Sequence, residues 1–164
     1  MAYRLRKPLT AYRIADSRFE IYSPVGAQTY GGRWNSAGRT VIYASLTYSG
    51  AMLETLVHAN IGRRRPTHAY VVITIPRGTV IKEASPDELH GWDAPDMDVS
   101  RRYGDRWTDE RRSAVLVVPS VIAATEKNVV INPVHPQASR ITVSEEKPVR
   151  WDARLIRRLK PLGA

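Results

Sequence analysis

Cysteine is absent from this 164-residue chain, which excludes disulfides and thiolate chemistry. With only four scattered histidines left as soft ligands, neither a structural nor a catalytic metal is expected. Long apolar runs are missing too. No stretch approaches the ~20 consecutive apolar residues that span a bilayer, and the amino terminus has neither the apolar run nor the small-residue cleavage site of a signal peptide. The expectation is a soluble, cytoplasmic protein that does not engage a membrane. Repeats and low-complexity linkers are likewise missing, so one globular domain over residues 1–164 is expected, long enough to bury a core of its own.

Lysine is scarce. Five of the 25 basic residues are lysine and the other 20 arginine, against 16 acidic residues, giving a formal charge of +9. Arginine favours phosphate and carboxylate partners in bidentate geometry. Its clusters (Arg63 to Arg65, Arg101-Arg102, Arg111-Arg112, Arg154 to Arg158) are spread along the chain. They read as a solvated basic surface, as a face for an anionic protein partner, or as a nucleic-acid footprint.

Hydrophobic patterning predicts mixed α and β elements. A strand is expected over Thr10 to Ile14, then an irregular segment to Gly38, then a strand over Thr40 to Ser45 with Val41, Tyr43 and Ser45 on one face and Ile42 and Ala44 on the other. Thr47 or Ser49 is positioned to cap a helix running to about Ile61, with Met52, Leu53, Leu56 and Val57 as its apolar stripe and Gly62 as its stop. Glu54 borders that stripe, one turn after Gly50, where a missing side chain would leave open space above the carboxylate. Ala69 to Ile75 and Ser113 to Val118 read as buried strands at the centre of the sheet. Ser85 to Leu89 reads as a short helix, and Asp93 to Glu110 as a partly exposed helical region. Val129 to Ile131, Arg140 to Val143 and Val149 to Trp151 complete the strands, with a turn at Asn132 to Pro136.

Gly31-Gly32-Arg33-Trp34-Asn35-Ser36, the Tyr43 strand and the Glu54 helix set an arginine, a tyrosine and a glutamate into one compact unit. Arginine suits a phosphate, tyrosine a flat ring, and a carboxylate a ribose hydroxyl or a developing positive charge. A dinucleotide such as NAD offers all of these. Each residue also has an ordinary reading: Arg33 pairing with an acid across a loop, Tyr43 packing on its strand, Glu54 and His58 forming a solvated helical pair, Ser120 shaping the turn after Pro119.

Taken together, Tyr12-Arg13-Ile14, Gly32 to Asn35, Val41 to Ser45, Leu53 to His58, Gly104 to Trp107, Val118-Pro119-Ser120 and Asn132 to Pro136 resemble the RES-domain toxins of bacterial RES-Xre toxin-antitoxin pairs. The resemblance runs through nearly the whole chain. It implies an α+β single domain similar to the ADP-ribosyltransferases, with mixed or antiparallel sheets and flanking helices. It also implies NAD as a substrate, consumed either by breaking its nicotinamide-ribose bond, through hydrolysis or phosphorolysis, or by passing ADP-ribose to an acceptor, and neutralisation by an Xre-like helix-turn-helix antitoxin through which DNA is met only indirectly. Carried over residue by residue, the family's arginine, glutamate and serine fall on Arg33, Glu54 and Ser120, with Arg13 and Tyr43 as further motif positions. Ser113 and Ser139 are alternatives for the serine.

On that reading Glu54 stabilises the cation, Arg13 and Arg33 hold the pyrophosphate or ribose, Tyr43 stacks on nicotinamide, and Ser120 offers a hydroxyl. The alternatives are an ADP-ribosyltransferase that modifies a host protein and a non-enzymatic basic nucleic-acid-binding module. A homo-oligomer is compatible with each.

Overall fold

The computed structural model describes residues 1–58 and 67–156. The expected end of the Glu54 helix, its Gly62 stop, the Arg63 to Arg65 cluster, Arg157 and Arg158 lie outside the described residues.

Alternating apolar residues build the sheet. In β4 (His68–Ile75) every second residue is buried, and β4 pairs antiparallel with β2 (Leu9–Asp16) from Leu9 opposite Ile75 to Asp16 opposite His68. The other strands are β1 (Ala2–Arg4), β3 (Ile42–Ser45), β5 (Val80–Glu83), β6 (Val115–Pro119), β7 (Lys127–Ile131), β8 (Thr142–Val143) and β9 (Lys147–Pro148). Among the described residues they form one nine-stranded sheet in the order β1-β5-β6-β7-β3-β2-β4-β8, with β9 pairing β4. Only β5 and β6 run parallel among these pairs. A parallel pair needs a crossover, supplied here by successive turns and α3 (Asp98–Glu110). The class is the expected α+β, and the middle of the sheet is β7 beside β3.

The pleat sorts side chains onto two faces. Ala11, Ile42, Ala44, Val71, Ile73, Val117, Val129 and Ile131 share one core with Ile21 and Ile141. Val41, Leu116, Val118 and Val130 share the other with Trp34 and Trp107. The two longer helices lie over this second face. α2 (Tyr48–His58) is seated by Tyr48, whose ring meets Tyr12 at 5.9 Å and Tyr70 at 4.8 Å, both edge to face. α3 is seated by Trp107, which is buried and donates from Nε1 to Ser113 Oγ at 2.7 Å.

Several expectations are corrected. The segment before Gly38 contains a short helix, α1 (Val25–Tyr30), and the strands β1 and β5 had no sequence counterpart. Ser85 to Leu89 is a run of hydrogen-bonded turns instead of a helix, and α3 starts only at Asp98, because Pro86, Gly91 (φ 82°) and Pro95 break the intervening chain. β7 begins at Lys127, Arg140 belongs to a 3₁₀ turn (Pro136–Arg140), and the last strand is Lys147–Pro148, ahead of Val149. On α2, Leu53 and Val57 are 41% and 48% exposed, and the buried residues are Gly50 and Ala51. Small residues let the helix sit close to the sheet, which rotates the larger side chains outward.

Candidate active site

α2 begins directly after Thr47, two residues beyond the end of β3. Thr47 Oγ1 accepts from the Gly50 amide at 3.0 Å, a side-chain N-cap, and donates to Glu126 Oε2 at 2.7 Å. Gly50 is buried, and a Cβ there would lie 2.9 Å from Thr47 Oγ1 and 3.5 Å from Ser45 Cβ. The opening expected above Glu54 is therefore absent at Gly50, because the close approach of helix and strand fills it.

Glu54, one turn on, has a side chain 26% exposed. Its Oε1 accepts from Asn128 Nδ2 at 2.7 Å and from Ser120 Oγ at 3.4 Å. Its Oε2 lies 4.0 Å from His58 Nδ1, and that nitrogen is 2.6 Å from the Glu54 carbonyl oxygen. The helical Glu54-His58 pair thus exists, but the carboxylate is also tied to the sheet. Ser120 follows Pro119 at the end of β6, where its Oγ also accepts from the amides of Ile122 (3.3 Å) and Ala123 (3.2 Å). Turn chemistry and contact with Glu54 coexist in one hydroxyl. Ser113 Oγ is instead buried against Trp107, and Ser139 Oγ donates to the Pro136 carbonyl at 3.0 Å.

Arg33 stands in a tight segment closed by a bridge between Gly32 and Asn35. Its guanidinium donates from one nitrogen to the carbonyls of Trp92 (3.1 Å) and Ala94 (3.0 Å), so its partners here are loop carbonyls instead of an acid. The other motif residues hold the segment. Trp34 is buried and stacks on Trp92 with ring centroids 6.1 Å apart. Asn35 is fully buried, donating to the carbonyls of Ala27 (2.9 Å), Ser36 (3.1 Å) and Arg39 (3.3 Å). From α3, Arg101 donates to the Gly32 carbonyl at 2.9 Å, and Asp105 accepts from the Ser36 amide (2.8 Å) and hydroxyl (2.6 Å).

Tyr43 joins strand and segment. Its hydroxyl donates to Asn35 Oδ1 at 2.6 Å and accepts from the Trp34 amide at 3.0 Å, while its ring lies so close to Gly32 that a Cβ there would meet it at 3.0 Å. Burial raises the pKa of this phenol well above its ordinary value, opposed by the Trp34 amide and by the nearby cations Arg101 and Arg33. Tyr43 is therefore a neutral hydrogen-bonding phenol at physiological pH. Tyr43→Phe keeps the ring but leaves Asn35 Oδ1 and the Trp34 amide without this partner. It is expected to cost about 1–3 kcal/mol of stability, readable as a lowered melting temperature with the nine-strand fold retained.

Arg13 is placed differently. Tyr12 pairs Ser45, so alternation turns Arg13 to the Ile42 and Ala44 side, opposite Tyr43. Its guanidinium donates to the Ile21 carbonyl (2.6 Å) and the Tyr43 carbonyl (2.8 Å), and desolvation lowers its pKa.

The structure thus joins Glu54 to Ser120 directly and Tyr43 to the Arg33 segment through Asn35 and Trp34. Asn128, opposite Ser45 in β7 and on the same face as Tyr43, ties the Glu54 carboxylate to that face of the sheet. Sequence reasoning missed Asn128 by starting that strand at Val129. The available signal was a lone amide at the head of a β-branched run. A half-buried carboxylate held to the sheet by two hydrogen bonds is chemically suited to stabilising positive charge on a bound sugar. Away from it, a basic concavity lined by Tyr3, Arg4, Leu5, Arg6, Arg77 and Gly78 lies at the β1 edge and has no carboxylate among these residues.

Comparison with known proteins agrees with this architecture. A toxin named Prs ADP-ribosylating toxin, from Sphingobium sp. (strain YBL2), is 40% identical over 141 residues, covering 83% of this chain and 87% of the relative. Toxin Res of Pseudomonas putida (strain KT2440) is 37% identical over 132 residues, covering 79% and 90%. Among solved structures, a chain of the M. tuberculosis MbcT-MbcA toxin-antitoxin complex superposes with a TM-score of 0.68 over 89% of this chain and 86% of that one; at 16% identity it shows the shared fold. The RES domain profile matches residues 10–152, and with these relatives it establishes that the chain belongs to the RES domain family of toxins.

Proposed function

We propose that this toxin binds NAD and breaks the bond between its ribose and nicotinamide, depleting the dinucleotide by hydrolysis or phosphorolysis. The observation that carries the reading is the Glu54 carboxylate, drawn to the sheet by Asn128 and Ser120 on the face that also carries Tyr43. Departure of nicotinamide leaves positive charge on ribose C1′, and a fixed anion favours that transition state over the ground state. Nicotinamide is cationic in NAD and leaves neutral, so the leaving group needs no strong general acid.

In this reading Glu54 accepts a hydrogen bond from a ribose hydroxyl and faces the developing cation. Arg33, fixed by two carbonyls through one nitrogen, turns its remaining donors to the pyrophosphate or ribose. The Tyr43 ring borders nicotinamide, and the Ser120 hydroxyl keeps the carboxylate in place. Arg13 serves from the far side of the sheet by holding the Tyr43 backbone.

A second reading, transfer of ADP-ribose to a protein, is favoured by the name of the 40%-identical Sphingobium relative. Both readings share the bond that breaks and differ in the acceptor. A third, a basic nucleic-acid module, is disfavoured by the use of Arg13, Arg33 and Arg101 inside the fold. The structural likeness to a chain of a toxin-antitoxin complex supports an antitoxin partner, which we place in the Xre-like helix-turn-helix class, and a cytoplasmic site of action where NAD is found.

The test is incubation of purified chain with adenine-labelled NAD, with and without inorganic phosphate and with and without cell protein. Nicotinamide release is expected, and the label then identifies water, phosphate or a protein as the acceptor. Absence of release under every condition would overturn the proposal.

A further inference from the structure

Glu54 is mounted on a helix through three rotatable side-chain bonds, and a carboxylate so mounted samples many rotamers unless something holds it. Two donors reach its Oε1. The Ser120 contact is long, at 3.4 Å, and that oxygen already accepts two backbone amides. The Asn128 contact is 2.7 Å, the length of a charge-assisted bond. Asn128 is also the more rigid anchor, since it stands in β7 paired with Ser45 of β3 on one side and Val118 of β6 on the other. An ionised carboxylate has no proton to give, so the amide must turn its NH₂ toward it.

We infer that Asn128 is a positioning residue for NAD cleavage, holding Glu54 by one oxygen so that the other is presented to the ribose. The inference rests on the proposed reading of Glu54 as the cation-stabilising carboxylate. Asn128 lies two residue pairs along the β3-β7 ladder from Tyr43, a diagonal neighbour on the same face at about 7–8 Å. Its amide therefore sets the helix-borne charge at a fixed distance from the strand-borne ring. A geometric error of about 1 Å at such a group costs on the order of a hundredfold in rate.

The test compares wild type, Asn128→Leu, Asn128→Asp, Glu54→Gln and the double variant Asn128→Leu/Glu54→Gln by steady-state nicotinamide release, each checked for folding by its thermal transition. Asn128→Asp matches the amide in shape and so retains the packing if Asn128→Leu does not. In either Asn128 variant kcat is expected to fall about ten- to a hundredfold, with KM for NAD changed less than about threefold, the signature of an interaction realised in the transition state. In the Glu54→Gln background, Asn128→Leu should change kcat by less than about twofold, because the charge that Asn128 positions is already gone. Wild-type kcat in folded Asn128 variants, or the same loss in both backgrounds, would overturn the inference while leaving the reading of Glu54 intact. A wild-type chain that releases no nicotinamide would remove that reading itself.

Discussion

Glu54→Gln is expected to lower kcat for nicotinamide release by about 10²- to 10³-fold, the scale of removing one preorganised electrostatic contact from a transition state. Glutamine has nearly the shape of glutamate, and its carbonyl oxygen can still accept from Asn128 and Ser120, so both anchoring hydrogen bonds have an acceptor. What is lost is the charge facing the sugar. NAD binding should change little, because the ribose hydroxyl keeps a polar partner and the arginine contacts are untouched, so the effect falls on kcat more than on KM. The check is steady-state nicotinamide release by both proteins, alongside their melting curves. Full turnover by a folded Glu54→Gln variant would remove Glu54 from the chemistry.

Gly104→Ala is expected to be the most damaging single-methyl addition outside the chemistry. A Cβ at Gly104 would lie 1.8 Å from the Trp34 carbonyl oxygen and 2.7 Å from its carbon, both backbone atoms that cannot swing aside. α3 would have to move off the Arg33 segment, lengthening the Arg101 bond to the Gly32 carbonyl and the Asp105 bonds to Ser36. Overpacking a close contact costs typically about 1–3 kcal/mol and more where backbone must shift, so a loss of at least about 3 kcal/mol is expected. For a domain of this size that lowers the melting temperature by roughly 6–12 °C. Because the displaced segment carries Arg33, kcat/KM for NAD should fall in whatever fraction remains folded. A variant melting within about 2 °C of wild type would show that the helix and the segment part without cost.

Both predictions concern motif residues, and they divide those residues in an informative way. In the Gly31 to Ser36 run, sequence reasoning singled out Arg33 for its charge. The structure shows why its neighbours accompany it: Gly32 admits the Tyr43 ring, Trp34 fills the core beneath α3, and Asn35 satisfies three carbonyls and the Tyr43 hydroxyl. Most of the motif is a mount for one side chain. Gly104 in the later Gly104 to Trp107 run completes the mount from α3, a contact spanning about 70 residues that no local pattern announces.

Local periodicity was enough to read the faces of β3, the cap and start of α2, the β2 and β4 strands and the turn at Asn132, because each follows from side-chain alternation or from a capping hydroxyl close in sequence. Naming Arg33, Tyr43 and Glu54 as a candidate unit needed only their nearness in sequence, within 21 positions of one another. What depended on distant contacts was not. Gly50 looked like an opening and is a packing surface, since strand β3 approaches α2 there. Leu53 and Val57 looked like a core stripe and face outward, since small residues bring the helix down on its other side. Arg13 looked like a ligand for phosphate and lies on the far face of the sheet, since the Tyr12-Ser45 register decides its direction. Sequence alone determined the chemistry available to this protein, because residue types and local spacing carry it. Tertiary structure alone decided which groups meet: the sheet order that sets β7 beside β3 brings Asn128 to Glu54 across 74 positions of chain.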